Sequence, residues 1–126
     1  QTRDFTYVSD TAAGIIKAGF AKEAIGRTIN IGQGSEISIN DLTKEIFEAT
    51  GSQGDVLFER PRPGDLSRLH ADISKATRLL NYQPQVNLQE GLKRLIEWYQ
   101  NSHQSPQELL KQEVPLNWEV ASYARR

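Results

Sequence analysis

Segments with strand character in this 126-residue chain are few and short, and they alternate with helical stripes, so the chain can supply only part of a sheet. Phe5-Thr6-Tyr7-Val8 alternates aromatic and β-branched residues and predicts a strand. Arg27 to Ile31 is a second, ending at Gly32-Gln33-Gly34, and Ile37-Ser38-Ile39 and Val56 to Phe58 are shorter candidates. An α/β arrangement follows, with too few strands for a complete sheet.

The helices carry clearer signals. Asp10 reads as a cap for a helix over Thr11 to Ala21, with Ala13, Ile16 and Phe20 at helical spacing and Gly19 near its end. Asn40 can cap a helix with Leu42, Ile46 and Phe47 on one stripe, stopped by Gly51. Asp72 can cap another, with Ile73, Ala76 and Leu80 on one face and Pro84 beyond its end. Asn87 opens the strongest stripe: Leu88, Leu92, Leu95, Ile96 and Tyr99. Trp98 and Tyr99 read as core and rim packing, with an aromatic binding surface as the alternative. Ser105-Pro106-Gln107-Glu108 spells a capping box. From Val114 onward no period is visible, and the tail reads as lying on another surface through Trp118 or as mobile.

Composition removes several classes of function. Fifteen Lys and Arg against 16 Asp and Glu give a formal charge of −1, without the basic excess that holds a phosphate backbone over many contacts, so nucleic acid is not an expected partner. No apolar run approaches the roughly 18 residues that span a bilayer, and no leader pattern opens the chain, so a cytoplasmic location and no membrane partner are expected. There is no cysteine, and the two histidines, His70 and His103, lack metal-ligand spacing, so no metal site is expected. There is no methionine either, and Gln1 is not a residue before which methionine is removed, so the sequence reads as a segment of a longer chain.

The familiar catalytic motifs are missing. Ile37 stands where a dinucleotide fingerprint opening at Gly32 needs its third glycine. No tyrosine among Tyr7, Tyr82, Tyr99 and Tyr123 has a lysine four residues on, and there is no Gly-x-Ser-x-Gly elbow. What remains is a set of charged residues beside rigid backbone. Arg3 precedes an apolar run, and Arg62 lies between Pro61 and Pro63, where a guanidinium loses less freedom on binding. Two such arginines can clamp a diphosphate. Asp65, across Gly64, can accept from the two hydroxyls of a ribose. A surface salt bridge between Arg62 and Asp65 is the plainer alternative. Asp4 reads as holding Arg3 in place, and neither it nor Asp10 is assigned acid–base work. Arg68 and His70 flank Leu69, so one face of that stretch looks into a pocket or is simply an exposed strand.

Taken together, the blocks Arg3-Asp4-Phe5-Thr6-Tyr7-Val8-Ser9-Asp10, Asn30-Ile31-Gly32-x-Gly34, Ser38-Ile39-x-Asp41-Leu42, Arg62-Pro63-Gly64-Asp65, Ala71-Asp72-Ile73-Ser74-Lys75-Ala76, Leu80-x-Tyr82-x-Pro84, Glu90-Gly91-Leu92 and Ile96-Glu97-Trp98-Tyr99 resemble the C-terminal part of the extended short-chain dehydrogenase/reductase family, the NAD-dependent nucleotide-sugar epimerases, dehydratases and decarboxylases. The resemblance covers about residues 1 to 100. It implies an α/β fold made of the edge of a Rossmann NAD domain (residues 1–36), a small nucleotide-sugar-binding lobe (37–112) and a tail (113–126). It places Arg3 and Arg62 on the diphosphate of a UDP- or dTDP-sugar, Asp65 on the ribose, and Leu69 where a side chain limits the size of the sugar. NAD and the catalytic tyrosine are implied on a preceding domain, which oxidises the sugar at C4, and the parent enzyme is implied to be a homodimer. Gly64-Asp65-Leu66, in place of the Gly-His-Asp common in dehydratases, looks more like the epimerases and decarboxylases, Phe5 stands where dehydratases often carry Trp, and the Leu69 position, which in epimerases limits the size of the sugar, favours a hexose epimerase.

By this resemblance the segment contributes substrate binding and is inactive alone. A catalytically inactive binding or regulatory module of the same fold is the alternative, and a glycine-rich turn with a Tyr-x-x-x-Lys pair upstream discriminates the two. As a segment, it should leave the apolar faces of the helix from Thr11 and of residues 27–31 exposed or paired with another copy.

Overall fold

The computed structural model describes residues 1–102 and 105–111. His103, Tyr123, Trp118 and the whole 113–126 tail lie outside the described residues. The elements are, in chain order, strand β1 (Thr2–Arg3), helix α1 (Val8–Phe20), one 3-10 turn (Lys22–Ala24), strand β2 (Ile37–Ser38), and helices α2 (Ile39–Thr50), α3 (Ser74–Leu80), α4 (Leu88–Gln100) and α5 (Pro106–Leu110).

The strands are where sequence and structure differ most. Strand β1 precedes the predicted run, and residues Phe5 to Tyr7 lead straight into α1. The carbonyl of Tyr7 already accepts from the N–H groups of Asp10 (3.0 Å) and Thr11 (3.1 Å). Helix α1 thus starts at Val8, three residues before the predicted Thr11, and Asp10 is not its cap. Instead, the buried Asp10 carboxylate (4% exposed) accepts from the backbone N–H of Gln85 (3.0 Å) and of Val86 (2.9 Å), joining residues 75 and 76 apart. Residues 27–31 form no strand. Ile29 and Ile31 pack inward as strand residues would, but the described residues offer no neighbouring strand to complete a ladder. Val56 to Phe58 likewise forms no strand and is exposed.

The core lies between α1 and α3. Ala76, Leu80 and Tyr82 are buried, with Ala18, Ile29, Ile31 and Ile73 packed against them. Burial pushes the Tyr82 phenol up from its ordinary value, with the Asp10 and Asp4 carboxylates adding to the shift, and its hydroxyl donates a hydrogen bond to the carbonyl of Gly32 at 2.9 Å. Gly14 lets α1 approach this core, since a Cβ there would lie 2.9 Å from two atoms of Ile31. Helix α3 starts one residue beyond Ile73, and Asp72 serves it by accepting from the backbone N–H of Ser74 (2.9 Å). Asn81, in the left-handed region at φ 48°, ends it.

The outer face of α1 is another matter. Val8, Ile15, Ile16 and Phe20 are exposed, Phe20 at 87%, so the helix is apolar on both faces and covered on one. The expected exposure therefore holds for the helix, whereas Ile29 and Ile31 are covered by the chain's own core.

Helices α2 and α4 pack together as a second layer. Ser38, one residue before α2 and not Asn40, caps it by accepting from Asp41 N–H at 3.0 Å, and Gly51 ends it at φ 64°. Asn87 caps α4 as predicted, accepting from Glu90 N–H at 2.9 Å, and Ser105 and Glu108 form the predicted capping box of α5. Trp98 and Tyr99 meet edge to face, centroids 5.0 Å apart, but on the exposed side rather than in the core.

Strand β1 is sewn in on both sides. It runs antiparallel to β2, Thr2 opposite Ser38 and Arg3 opposite Ile37, and Thr2 bridges in parallel to Arg68. Glu36 closes this junction, accepting from Arg68 Nε and Nη2 (2.6–2.9 Å) and from Thr2 Oγ1 (2.6 Å). The Arg68 hydrogen bonds, then that of Thr2, hold its carboxyl at about 2 against an ordinary 4.5.

Two outcomes follow. Asp10→Ala leaves the buried N–H of Val86 and the partly buried N–H of Gln85 without an acceptor and should cost about 1–3 kcal/mol, read from the urea midpoint. Because the folded-state value of Glu36 is depressed, its contribution is present above pH 4.5 and lost as pH falls toward 2. In Arg68→Ala, carboxyl NMR titration should show the Glu36 value rising from about 2 toward 4.5.

Candidate functional site

The double pairing of β1 decides what stands beside Arg3. The N–H of Thr2 donates to the carbonyl of Ser67 (2.9 Å) and the N–H of Leu69 to the carbonyl of Thr2 (3.1 Å). Residues 65–69 are thereby brought alongside residues more than 60 positions earlier, and three of the four sequence-predicted site residues, Arg3, Asp65 and Leu69, become neighbours.

Arg3 is half-buried and fixed on one edge by backbone: Nη1 donates to the carbonyls of Thr2 (2.8 Å) and Leu66 (2.9 Å). Its Nη2 meets Asp65 Oδ1 at 2.6 Å, and Asp65 Oδ2 accepts from the side-chain amide of Gln1 at 2.7 Å. Asp65 is thus paired with Arg3, 62 positions earlier, a contact that no local pattern announces. An ion pair with side chains 19% and 27% exposed is partly shielded from water, yet still worth only on the order of 1 kcal/mol.

Arg62 is tied to this pair through the main chain. The N–H of Asp65 donates to the carbonyl of Arg62 at 3.1 Å, closing a turn in which Gly64 takes φ 77°, a value that favours glycine. Pro61 and Pro63 stiffen the approach as predicted, and the Arg62 side chain is exposed.

A cavity of about 480 Å³ opens beside Arg3, its wall including Asp4, Asn30, Gly32, Leu69 and His70. Leu69 thus faces a pocket, the first of the two readings left open for this stretch. Arg62 and Asp65 do not line this cavity; Asp65 is joined to its wall by the ion pair with Arg3, and Arg62 to Asp65 by the turn.

The residue that sequence reasoning undervalued is Asp4. Rather than holding Arg3, its carboxylate accepts from three backbone N–H groups, those of Gln33 (2.8 Å), Gly34 (3.0 Å) and Ala71 (3.2 Å). The glycines are what allow this. A Cβ at Gly32 would lie 2.6 Å from that of Ala71, and one at Gly34, whose φ is +73°, 2.7 Å from Ile73 Cδ1. A glycine-rich loop without a phosphate fingerprint was the available signal: its N–H groups need an acceptor, and Asp4 is it.

A family model described as GDP-mannose 4,6 dehydratase matches residues 1–95. The UDP-glucose 4-epimerase of Mycolicibacterium smegmatis is 36% identical over 103 residues, which are 82% of this chain and 33% of that protein. A UDP-glucuronate 4-epimerase from Thermodesulfobacterium geofontis is 37% identical over 99 residues, 78% of this chain and 30% of its own length. Among solved structures, an epimerase from Methanothermobacter thermautotrophicus superposes with a TM-score of 0.76 at 35% identity, covering 98% of this chain and 32% of that one. The UDP-glucuronic acid 4-epimerase of Bacillus cereus, solved with UDP-glucuronic acid and NAD, gives a TM-score of 0.70 at 40% identity, covering 74% and 30%. The chain thus spans about a third of the length of the relatives it matches. With three quarters of its residues inside the family model and its fold shared with these epimerases, the chain belongs to the GDP-mannose 4,6 dehydratase family, within the extended short-chain dehydrogenases/reductases.

Proposed function

We propose that this chain is the nucleotide-sugar-binding part of an NAD-dependent nucleotide-sugar epimerase, with Arg3 and Arg62 on the diphosphate, Asp65 on the ribose and Leu69 beside the sugar. The observation that carries the reading is that Arg3, which lines the cavity together with Leu69, is ion-paired to Asp65, 62 positions later in the chain. Arg3 is pinned by two carbonyls, so its charge is offered to a ligand without much further ordering. The relatives named for action on UDP-glucose and UDP-glucuronate make a UDP-sugar the first ligand to test.

The Gly32–Gly34 loop does not offer a phosphate site for a dinucleotide. The Gln33 and Gly34 N–H groups that would have to face a phosphate are bound to Asp4, and Gly34 backs onto Ile73. This chain's part is therefore to bind the remote half of the substrate, so that binding energy spent there positions the sugar for chemistry done by other residues. Alone, it should turn nothing over.

Titration calorimetry with UDP-glucose and UDP-glucuronic acid tests the assignment. Arg3→Ala and Arg62→Ala should each weaken binding about 10- to 100-fold, as expected for loss of a charged hydrogen bond to phosphate. Unchanged affinity in both, with the fold intact by circular dichroism, overturns the clamp.

A further inference from the structure

The Arg3–Asp65 pair raises a question of selectivity, because the group assigned to a phosphate is already held by a carboxylate. Of the five N–H donors of a guanidinium, Arg3 commits two from Nη1 to the carbonyls of Thr2 and Leu66 and one from Nη2 to Asp65. Among the described residues, the remaining Nη2 hydrogen and the Nε–H have no partner. An anion arriving at Arg3 must use those two donors beside a carboxylate that stays in place, or displace it. Asp65 is not easily displaced, because Gln1 holds its other oxygen and the 62–65 turn fixes its backbone. A bare phosphate or pyrophosphate therefore meets like charge at close range. A ligand that also brings hydroxyl donors to Asp65 turns the same carboxylate into a partner.

We propose that Asp65 is a selectivity residue: bonded to Arg3, it penalises anions that carry no hydroxyl donors and so reserves the arginine for nucleoside diphosphates. This rests on the clamp proposed above, and deepens it, since it makes the two roles of Arg3 and Asp65 one coupled device.

The test compares inorganic pyrophosphate with UDP on the unsubstituted chain, on Asp65→Asn, which keeps the shape and removes the charge, and on Asp65→Ala, which removes the acceptor as well. Thermal melts serve as the folding control. Affinities come from titration calorimetry at fixed ionic strength, since exposed charges are screened by salt. The expected result is that Asp65→Asn binds pyrophosphate about tenfold more tightly and UDP more weakly, inverting the preference, and that Asp65→Ala does the same for pyrophosphate. Pyrophosphate affinity that is unchanged or lower in both variants overturns the inference and leaves Asp65 as a support for the Arg3 side chain, while UDP binding lost in Arg3→Ala would still stand for the clamp. Failure of the unsubstituted chain to bind UDP at all overturns the clamp and the inference together.

Discussion

The carboxylate of Asp4 holds together the three stretches on which the candidate site is built. One oxygen accepts from Gln33, the other from Gly34 and Ala71, so a single half-buried side chain joins the start of the chain to residues about 30 and 67 positions later. Backbone N–H groups in a turn have no ladder to satisfy them, and an ionised carboxylate is the strongest acceptor available to them. Arg3 is next to Asp4 and Leu69 is two residues from Ala71. The cavity between them is therefore set by this one acceptor and by the β1 pairing, rather than by hydrophobic packing.

That division of labour explains which parts were legible in the sequence. The helices α2, α4 and α5 show themselves through local signals, a cap, a stripe and a stop, all within a dozen residues of each other, and the structure returns them with small shifts such as Ser38 for Asn40. Strands are decided by partners at any distance along the chain. Residues 27–31 have the composition and the inward-facing isoleucines of a strand, yet without a neighbour they form none. Thr2–Arg3 has no strand signature at all and is a strand because Ser38 and Arg68 lie on either side.

The acidic residues show the same limit. Asp4 and Asp10 carry no mark in the sequence that separates a helix cap from a long-range staple. Asp10 lies at a helix start, where a cap is the natural reading, but its partners Gln85 and Val86 come from the far side of the fold. By contrast, Arg62, Pro63, Gly64 and Asp65 could be read directly, because proline and glycine constrain backbone wherever they occur, and the turn they predict is the turn found. What the sequence did not disclose was that Asp65 points its charge at Arg3.

Stability and site geometry are accordingly carried by different forces in this chain. The α1–α3 core is apolar and one-sided, since Val8, Ile15, Ile16 and Phe20 on the outer face of α1 have nothing from the described residues over them. An apolar stripe of that size gains about 25 cal/mol for each Å² removed from water, so covering it adds to the stability of the fold without touching the residues of the site. The cavity beside Arg3, in contrast, is bounded by polar bonds between β1, the Gly32–Gly34 loop and residues 65–71. The arrangement of Arg3 and Asp65 is therefore fixed by those bonds rather than by the exposed face of α1.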